Sequence, residues 1–181
     1  MTTRIYISAK IQKNYKKIVL NPLPDVANMQ EHMNSWNANY VPFLGKKCWL
    51  LTHTITRYTV IVPDITVKDL DQLLSLFQEC IIQQLVQKHL INADRVLDFV
   101  GQLEFYPTNN DKSSIGYNNQ RIQDLSYWKT TYRAFEDISF SRLGANLNII
   151  GTRLNNGKSQ YIYPTEEFLG LLIKLKNSSV G

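Results

Sequence analysis

Residues 46–85 read KKCWLLTHTITRYTVIVPDITVKDLDQLLSLFQECIIQQL, and the change of period inside this stretch decides the fold. Lys46 to His53 and Thr56 to Val62 are dense in Trp, Tyr, Thr, Val and Ile, residues that suit a pleated surface, and they meet at Thr54-Ile55. The spacing predicts an antiparallel hairpin, closed by Pro63-Asp64. Thr66 then caps a long helix with Asp69 three residues on, and Leu70, Leu73, Leu74, Phe77, Ile81 and Leu85 form one apolar stripe along it.

Outward from there the signals weaken. Residues 4–20 admit two readings. One is a hairpin with strands around Ile5–Ile11 and Tyr15–Leu20; the other, slightly favoured, is a strand at 4–7 and a helix capped by Ser8 that buries Ile11, Tyr15, Ile18 and Val19. Asn21-Pro22-Leu23-Pro24 stops either element, and residues 25–45 read as a polar loop or short helical turns. Downstream, Asn92 is expected to cap a helix that runs to Val100 and stops at a left-handed Gly101. Gln102–Tyr106 reads as a strand, and Ser114 as the cap of a helix whose later part carries Ile122, Leu125, Trp128 and Tyr132. Leu147–Leu154 and Ser159–Tyr163 flank the turn signal Asn155-Asn156-Gly157, and Thr165 is expected to cap a last helix with Phe168, Leu169, Leu172 and Leu175 inward. The expected fold is a single α+β domain, its largely antiparallel sheet packed on the long central helix, with a basic arm or hairpin at 1–24.

Composition sets bounds. With 181 residues, 44 % hydrophobic and 19 % charged, the chain can bury a core, and eight Gly and six Pro exclude collagen-like or low-complexity architecture. No apolar run has membrane-spanning length, and Met1-Thr2-Thr3-Arg4 lacks the apolar start of a signal peptide, so a cytoplasmic protein without a membrane partner is expected. Two cysteines, Cys48 and Cys80, make no disulfide framework. The net charge of +5 is unevenly spread: residues 1–57 carry +6, residues 58–111 carry −5 and residues 112–181 carry +4. A basic end, an acidic middle and a basic end suit a surface that meets a polyanion, and equally a solvated face that maintains solubility.

Candidate chemistry is sparse. His32, His53 and His89 have no metal-ligand spacing, no Gly-rich phosphate loop exists, and no metal or other cofactor is expected. Loose acid-and-lysine sets, Asp64 with Lys68 and Glu104 with Asp111 and Lys112, are weak signals of a metal-dependent nuclease. The hairpin is more informative, because Lys46, Lys47, Trp49, His53, Arg57 and Tyr58 fall within 13 residues. Metal-free RNA cleavage needs a group such as His53 or Lys47 to move the 2′-hydroxyl proton and one such as Arg57 to stabilise the charge growing on phosphorus. Binding of the strand would fall to Arg4, Lys10, Lys13, Lys16, Lys17 and Lys46 on phosphates, with Trp49 and Tyr58 stacking on bases. The competing reading puts Trp49 and Tyr58 in the core and the charges on a solvent face.

Trp36-Asn37-Ala38-Asn39, Leu50-Leu51, Thr56-Arg57-Tyr58, Lys68, and Thr108-Asn109 through Ser114-Ile115-Gly116 to Asn118 or Asn119 together resemble a bacterial domain family of unknown function, over about residues 36–122. His53 stands where that family usually carries Asn, and the family brings no catalytic residues to transfer. Size, basic N-terminus and Asn-, Ile-, Lys- and Tyr-rich composition also resemble the type II-A anti-CRISPR proteins of plasmids and phages. That resemblance implies a CRISPR effector nuclease with its guide RNA as partner. It also implies guide-RNA truncation, a ribonuclease action dependent on the effector complex, with an N-terminal hairpin involved. A different class of function, a non-enzymatic protein-binding inhibitor or antitoxin-like module, would use Trp36, Trp49 and exposed tyrosines as contact anchors.

Overall fold

A computed structural model describes residues 2–23, 33–86, 93–155 and 159–178. The strands are β1 (Thr2–Ile7), β2 (Ser35–Phe43), β3 (Lys46–His53), β4 (Thr59–Val62), β5 (Gln102–Pro107), β6 (Thr152–Asn155) and β7 (Ser159–Ile162). The helices are α1 (Ala9–Asn14), α2 (Leu73–Val86), α3 (Ala93–Phe99), α4 (Lys112–Trp128), α5 (Phe140–Ile149) and α6 (Pro164–Ser178). Five strands form one sheet in the order β4-β3-β2-β1-β5, and β6 and β7 form a separate hairpin. β1 runs parallel to both neighbours, while β2–β3, β3–β4 and β6–β7 are antiparallel. The fold is a single α+β domain.

Residues 46–62 form the expected hairpin, Trp49 opposite Val62 and Thr52 opposite Thr59, but the second strand starts at Thr59 rather than Thr56, and Thr56-Arg57-Tyr58 belongs to the connection. The start of the chain takes the strand-then-helix form: Ser8 caps α1, Ile11 and Tyr15 are buried, and Val19 lies in solvent. The segment is no arm, since β1 is bonded to β2 on one side and β5 on the other.

β2 is the main strand the sequence concealed. Trp36, Ala38 and Tyr40 face one side while Asn37 and Asn39 face the other, so half the strand has loop-like composition. Pro42 adds a strand-breaking signal, but β1 pairs only as far as Ala38, so the missing N–H at Pro42 costs no ladder bond on that side. Leu44 and Gly45 (φ 45° and 81°) make the two-residue left-handed turn into β3.

Other boundaries shift for local reasons. The Thr66–Asp69 capping box starts a 3₁₀ segment, Val67–Gln72, that leads into α2. Asp111, not Ser114, caps α4 by accepting from Ser113 N–H at 3.0 Å. Residues 147–149, read as strand, end α5, because Ser139 caps that helix and Leu143 and Leu147 bury one face. Pro164 begins α6, and Thr165 instead donates to Asn148 O at 3.1 Å. Gly101 is not left-handed. The expected cap at Asn92, the turn at 156–157 and the side chain of Leu175 lie outside the described residues.

Helices cover both faces of the sheet. On one, α1, α2, α3 and α6 bury Ile5, Ile7, Trp36, Trp49, Leu51, Tyr58, Val60 and Phe168. On the other, α4 and α5 bury Val41, Phe43, Cys48, Leu50 and Ile61. Asn148 closes the outer edge of β4: its side-chain oxygen accepts from Thr59 N–H at 2.7 Å and its amide donates to Thr59 O at 2.7 Å, as a neighbouring strand would. Asn148→Ala orphans both groups and should lower the free energy of unfolding by about 2–4 kcal/mol in urea titrations. A change below about 0.5 kcal/mol would show that this edge needs no closure.

Candidate functional site

The six hairpin residues with candidate chemistry do not face outward together. Trp49 and Tyr58 are 0 % and 1 % exposed, Trp49 packed edge-on to Tyr15 and Tyr58 stacked on Phe168 at 4.4 Å. They cannot stack on a base, because helices cover both faces of their strands. Trp36 is as deeply buried, against Phe77 and Phe168, so neither it nor Trp49 is a contact anchor. Lys46 and Lys47, being consecutive in a strand, point to opposite faces. Lys46 pairs with Asp64 at 2.9 Å and lies near Phe135, while Lys47 shares the face of Trp49.

His53 is fully buried between Trp36, Phe99 and Phe168. Its Nε2 meets Met33 O at 2.7 Å, and a carbonyl only accepts, so Nε2 carries the proton. Nδ1 then accepts from Thr56 N–H at 3.2 Å, with the Thr56 hydroxyl at 2.9 Å. Burial lowers its pKa from 6.5 to about 4, the Met33 bond opposing and the nearby Arg57 charge assisting. Both ring nitrogens are engaged and the side chain is fully buried, so His53 is placed as a structural histidine.

Arg57 closes the same turn. Its backbone is left-handed (φ 61°), and its side chain is 6 % exposed. The guanidinium donates to the hydroxyls of Ser114 and Ser113, the latter at 3.0 Å, and the Ser114 hydroxyl in turn donates to the Asp111 carboxylate. The Thr56-Arg57-Tyr58 turn is thereby bolted to the first turn of α4, joining the motifs around Arg57 and Ser114. Burial lowers the Arg57 pKa, with Asp111 acting against it. Burial also raises the thiol pKa of Cys48 to about 11 and of Cys80 to about 12, which leaves both un-ionised and poor nucleophiles.

The remaining cations separate by face. Arg4 lies on the α4 side of the sheet beside the Tyr106 ring. Lys10, Lys13, Lys16 and Lys17 are exposed on α1 and the turn after it, Lys10 lying 4.6 Å from the Tyr40 ring centre. Lys17 and Lys68 line a groove of about 560 Å³ with Ile18, Val19, Val67, Leu70, Asp71 and Phe105. With Lys47 on this face as well, the α1 side of the sheet carries a basic surface.

The register aligns a polar row that sequence reading missed: Tyr106, Tyr6, Asn37, Thr52 and Thr59, one from each strand from β5 to β4, all on the α4 side. Onto it α4 lays Ser114, Tyr117, Asn118 and Arg121, each at least nine-tenths buried. The motif residues Asn37, Arg57, Ser114 and Asn118 all belong to this layer, a convergence the spacing alone could not reveal. Among the described residues no group of three or more His, Cys, Asp or Glu is placed to hold a metal, and no helix is long and apolar enough to cross a membrane.

The class defined is therefore an α+β domain with a lysine-rich helical face and, across the sheet, a buried polar layer. The chain belongs to the family described as Domain of unknown function (DUF6933), whose model matches residues 4–167. No curated protein and no solved structure matches it.

His53 sets a pH dependence. Between pH 6.5 and about 4 the unfolded chain takes up a proton that the folded chain refuses, so this residue removes stability as pH falls through that window. The loss approaches about 3 kcal/mol near pH 4. Urea unfolding at several pH values should show that component gone in His53→Gln; an unchanged pH profile would contradict the assignment.

Proposed function

We propose that this chain is a non-catalytic binding protein that docks on an RNA-bearing complex through the lysine face of α1. The supporting observation is that Lys10, Lys13, Lys16, Lys17, Lys47 and Lys68 are exposed on one side of the sheet. Asp71 is the acid that shares their groove. A surface of this kind tracks phosphates without reading sequence. The partner proposed is a type II-A CRISPR effector with its guide RNA, and the setting a mobile-element inhibitor acting in the cytoplasm, as the resemblance in size and composition implies. Truncation of the guide by His53, Arg57 and Lys47 is not proposed, because two of the three are buried and the third lies elsewhere on the surface.

Anisotropy of a labelled 20-nucleotide single-stranded RNA, titrated at 50–200 mM salt, tests the reading. Binding should weaken steeply with salt, by about 0.7 in log–log slope per neutralised phosphate, and Lys10→Glu/Lys13→Glu/Lys17→Glu should reduce affinity at least about tenfold with a shallower slope. No binding at the lowest salt would favour a protein-only inhibitor or antitoxin-like module. With an assembled effector–guide complex, target cleavage should fall while the guide stays full length on a denaturing gel. A shortened guide would contradict the non-catalytic assignment.

A further inference from the structure

We infer that the groove beside α1 is a base-reading subsite of the lysine face. Resting on the proposed docking of RNA there, it takes one unpaired guanine of the bound strand, with phosphates on Lys17 and Lys68 and the base edge on Asp71. The groove holds about 560 Å³, inside the range of about 300–1,000 Å³ in which small-ligand sites fall. Three segments wall it: the turn after α1, the 3₁₀ segment before α2, and Phe105 on β5. Long-range hydrogen bonds hold these walls together. Tyr15 OH donates to Ile65 O at 2.6 Å, tying the end of α1 to the approach to the 3₁₀ segment. Asn21 N–H donates to Phe105 O at 2.8 Å, tying the chain after Val19 to β5.

The groove joins apolar walls to charged ends that no described neighbour uses. Ile18, Leu70 and Phe105 are half-buried and pack on the core, while Val19 and Val67 are 83 % and 38 % exposed. The flat face of a base would cover such side chains without needing a polar partner, and the apolar area leaves water. Of the two carboxylates in the 3₁₀ segment, Asp69 accepts from Thr66 N–H at 2.7 Å in the capping box. Asp71, among the described residues, makes no hydrogen bond or ion pair through its side chain, and neither do Lys17 and Lys68. Three charges therefore line one groove without pairing with one another.

That combination specifies the nucleotide. An acid is out of place on a surface that only tracks phosphates, because it repels them; it fits where a base edge faces it. An ionised carboxylate only accepts, so that edge must donate. Guanine presents two adjacent donors, N1–H and the N2 amino group, which match the two carboxylate oxygens. Uracil presents one N–H between two carbonyls, and adenine and cytosine each set an acceptor nitrogen beside their amino group, so the second oxygen meets repulsion. Proteins read bases splayed from single strands on this edge while apolar or aromatic surface covers their faces. Lys17 and Lys68 then hold the flanking phosphates, and the other lysines of the face carry the rest of the strand.

The test compares an oligouridylate of about 20 nucleotides with the same strand carrying one central guanine, by anisotropy with the full chain at about 100 mM salt. The guanine should tighten binding about tenfold, as one bidentate base contact does. Asp71→Asn, at an exposed position, keeps the side-chain shape but replaces one acceptor by a donor, and should bring the ratio below about twofold. Lys13→Glu, outside the groove, should weaken both strands and keep the ratio. In heteronuclear NMR, guanosine 5′-monophosphate should shift the amides of Val19, Lys68 and Asp71, and uridine 5′-monophosphate should not. Equal affinity for the two strands, or a ratio intact in Asp71→Asn, would overturn the subsite and leave the RNA-docking face standing. Shifts with guanosine monophosphate but no binding of either strand would overturn the docking reading and keep the groove as a guanine site. No strand bound and no shift would overturn both, in favour of a protein-only partner.

Discussion

A guanidinium can be taken out of water only if acceptors meet it, and the burial of Arg57 is the constraint on which the rest of this domain is arranged. No carboxylate touches it directly among the described residues; Ser113 and Ser114 accept its hydrogen bonds, and Asp111 stands behind Ser114. The hydroxyls soften the desolvation cost while the carboxylate charge remains close. Because Ser113 and Ser114 open α4 while Arg57 closes the β3–β4 turn, this contact fixes where α4 crosses the sheet. Tyr58, next in sequence, is thereby set against Phe168, and Thr56 against His53, so one turn anchors both faces of the sheet.

That arrangement separates two surfaces. The α1 side presents lysines to solvent over a densely apolar core, whereas the α4 side carries a polar layer whose charges cancel. A reading based on the hairpin alone merges the two, because Lys46, Lys47, His53 and Arg57 are close in sequence. Strand alternation and the length of β3 set them apart: Lys46 and Lys47 lie at the Phe43 end of β2, and His53 at the Trp36 end, with Arg57 beyond it.

Much of the fold was legible for definite reasons. The 46–62 hairpin carries β-branched and aromatic residues on both faces, and the Thr66–Asp69 capping box with Leu73, Phe77, Ile81 and Leu85 marks one helical stripe. β2 was concealed because the α4-facing positions of its first half are Ser35, Asn37 and Asn39, and polar residues inside a strand read as loop until the partner strands are known. α5 was concealed because Ile149 and Ile150, both half-exposed at its end, carry a strand signal in isolation. The candidate site was legible only as a set of scattered motifs. Asn37, Arg57, Ser114 and Asn118 span 82 positions, and long-range packing, which leaves no periodic trace in the sequence, brings them to one seam.

The most direct test of the central role given to Arg57 is a double-mutant cycle in urea unfolding with Arg57→Met, Ser114→Ala and the pair. Direct contact in a buried network predicts a coupling energy of about 1–3 kcal/mol between the two substitutions. Additivity within about 0.5 kcal/mol would mean that the turn and α4 are held together by other contacts, and that Arg57 is a passenger in the seam rather than its bolt.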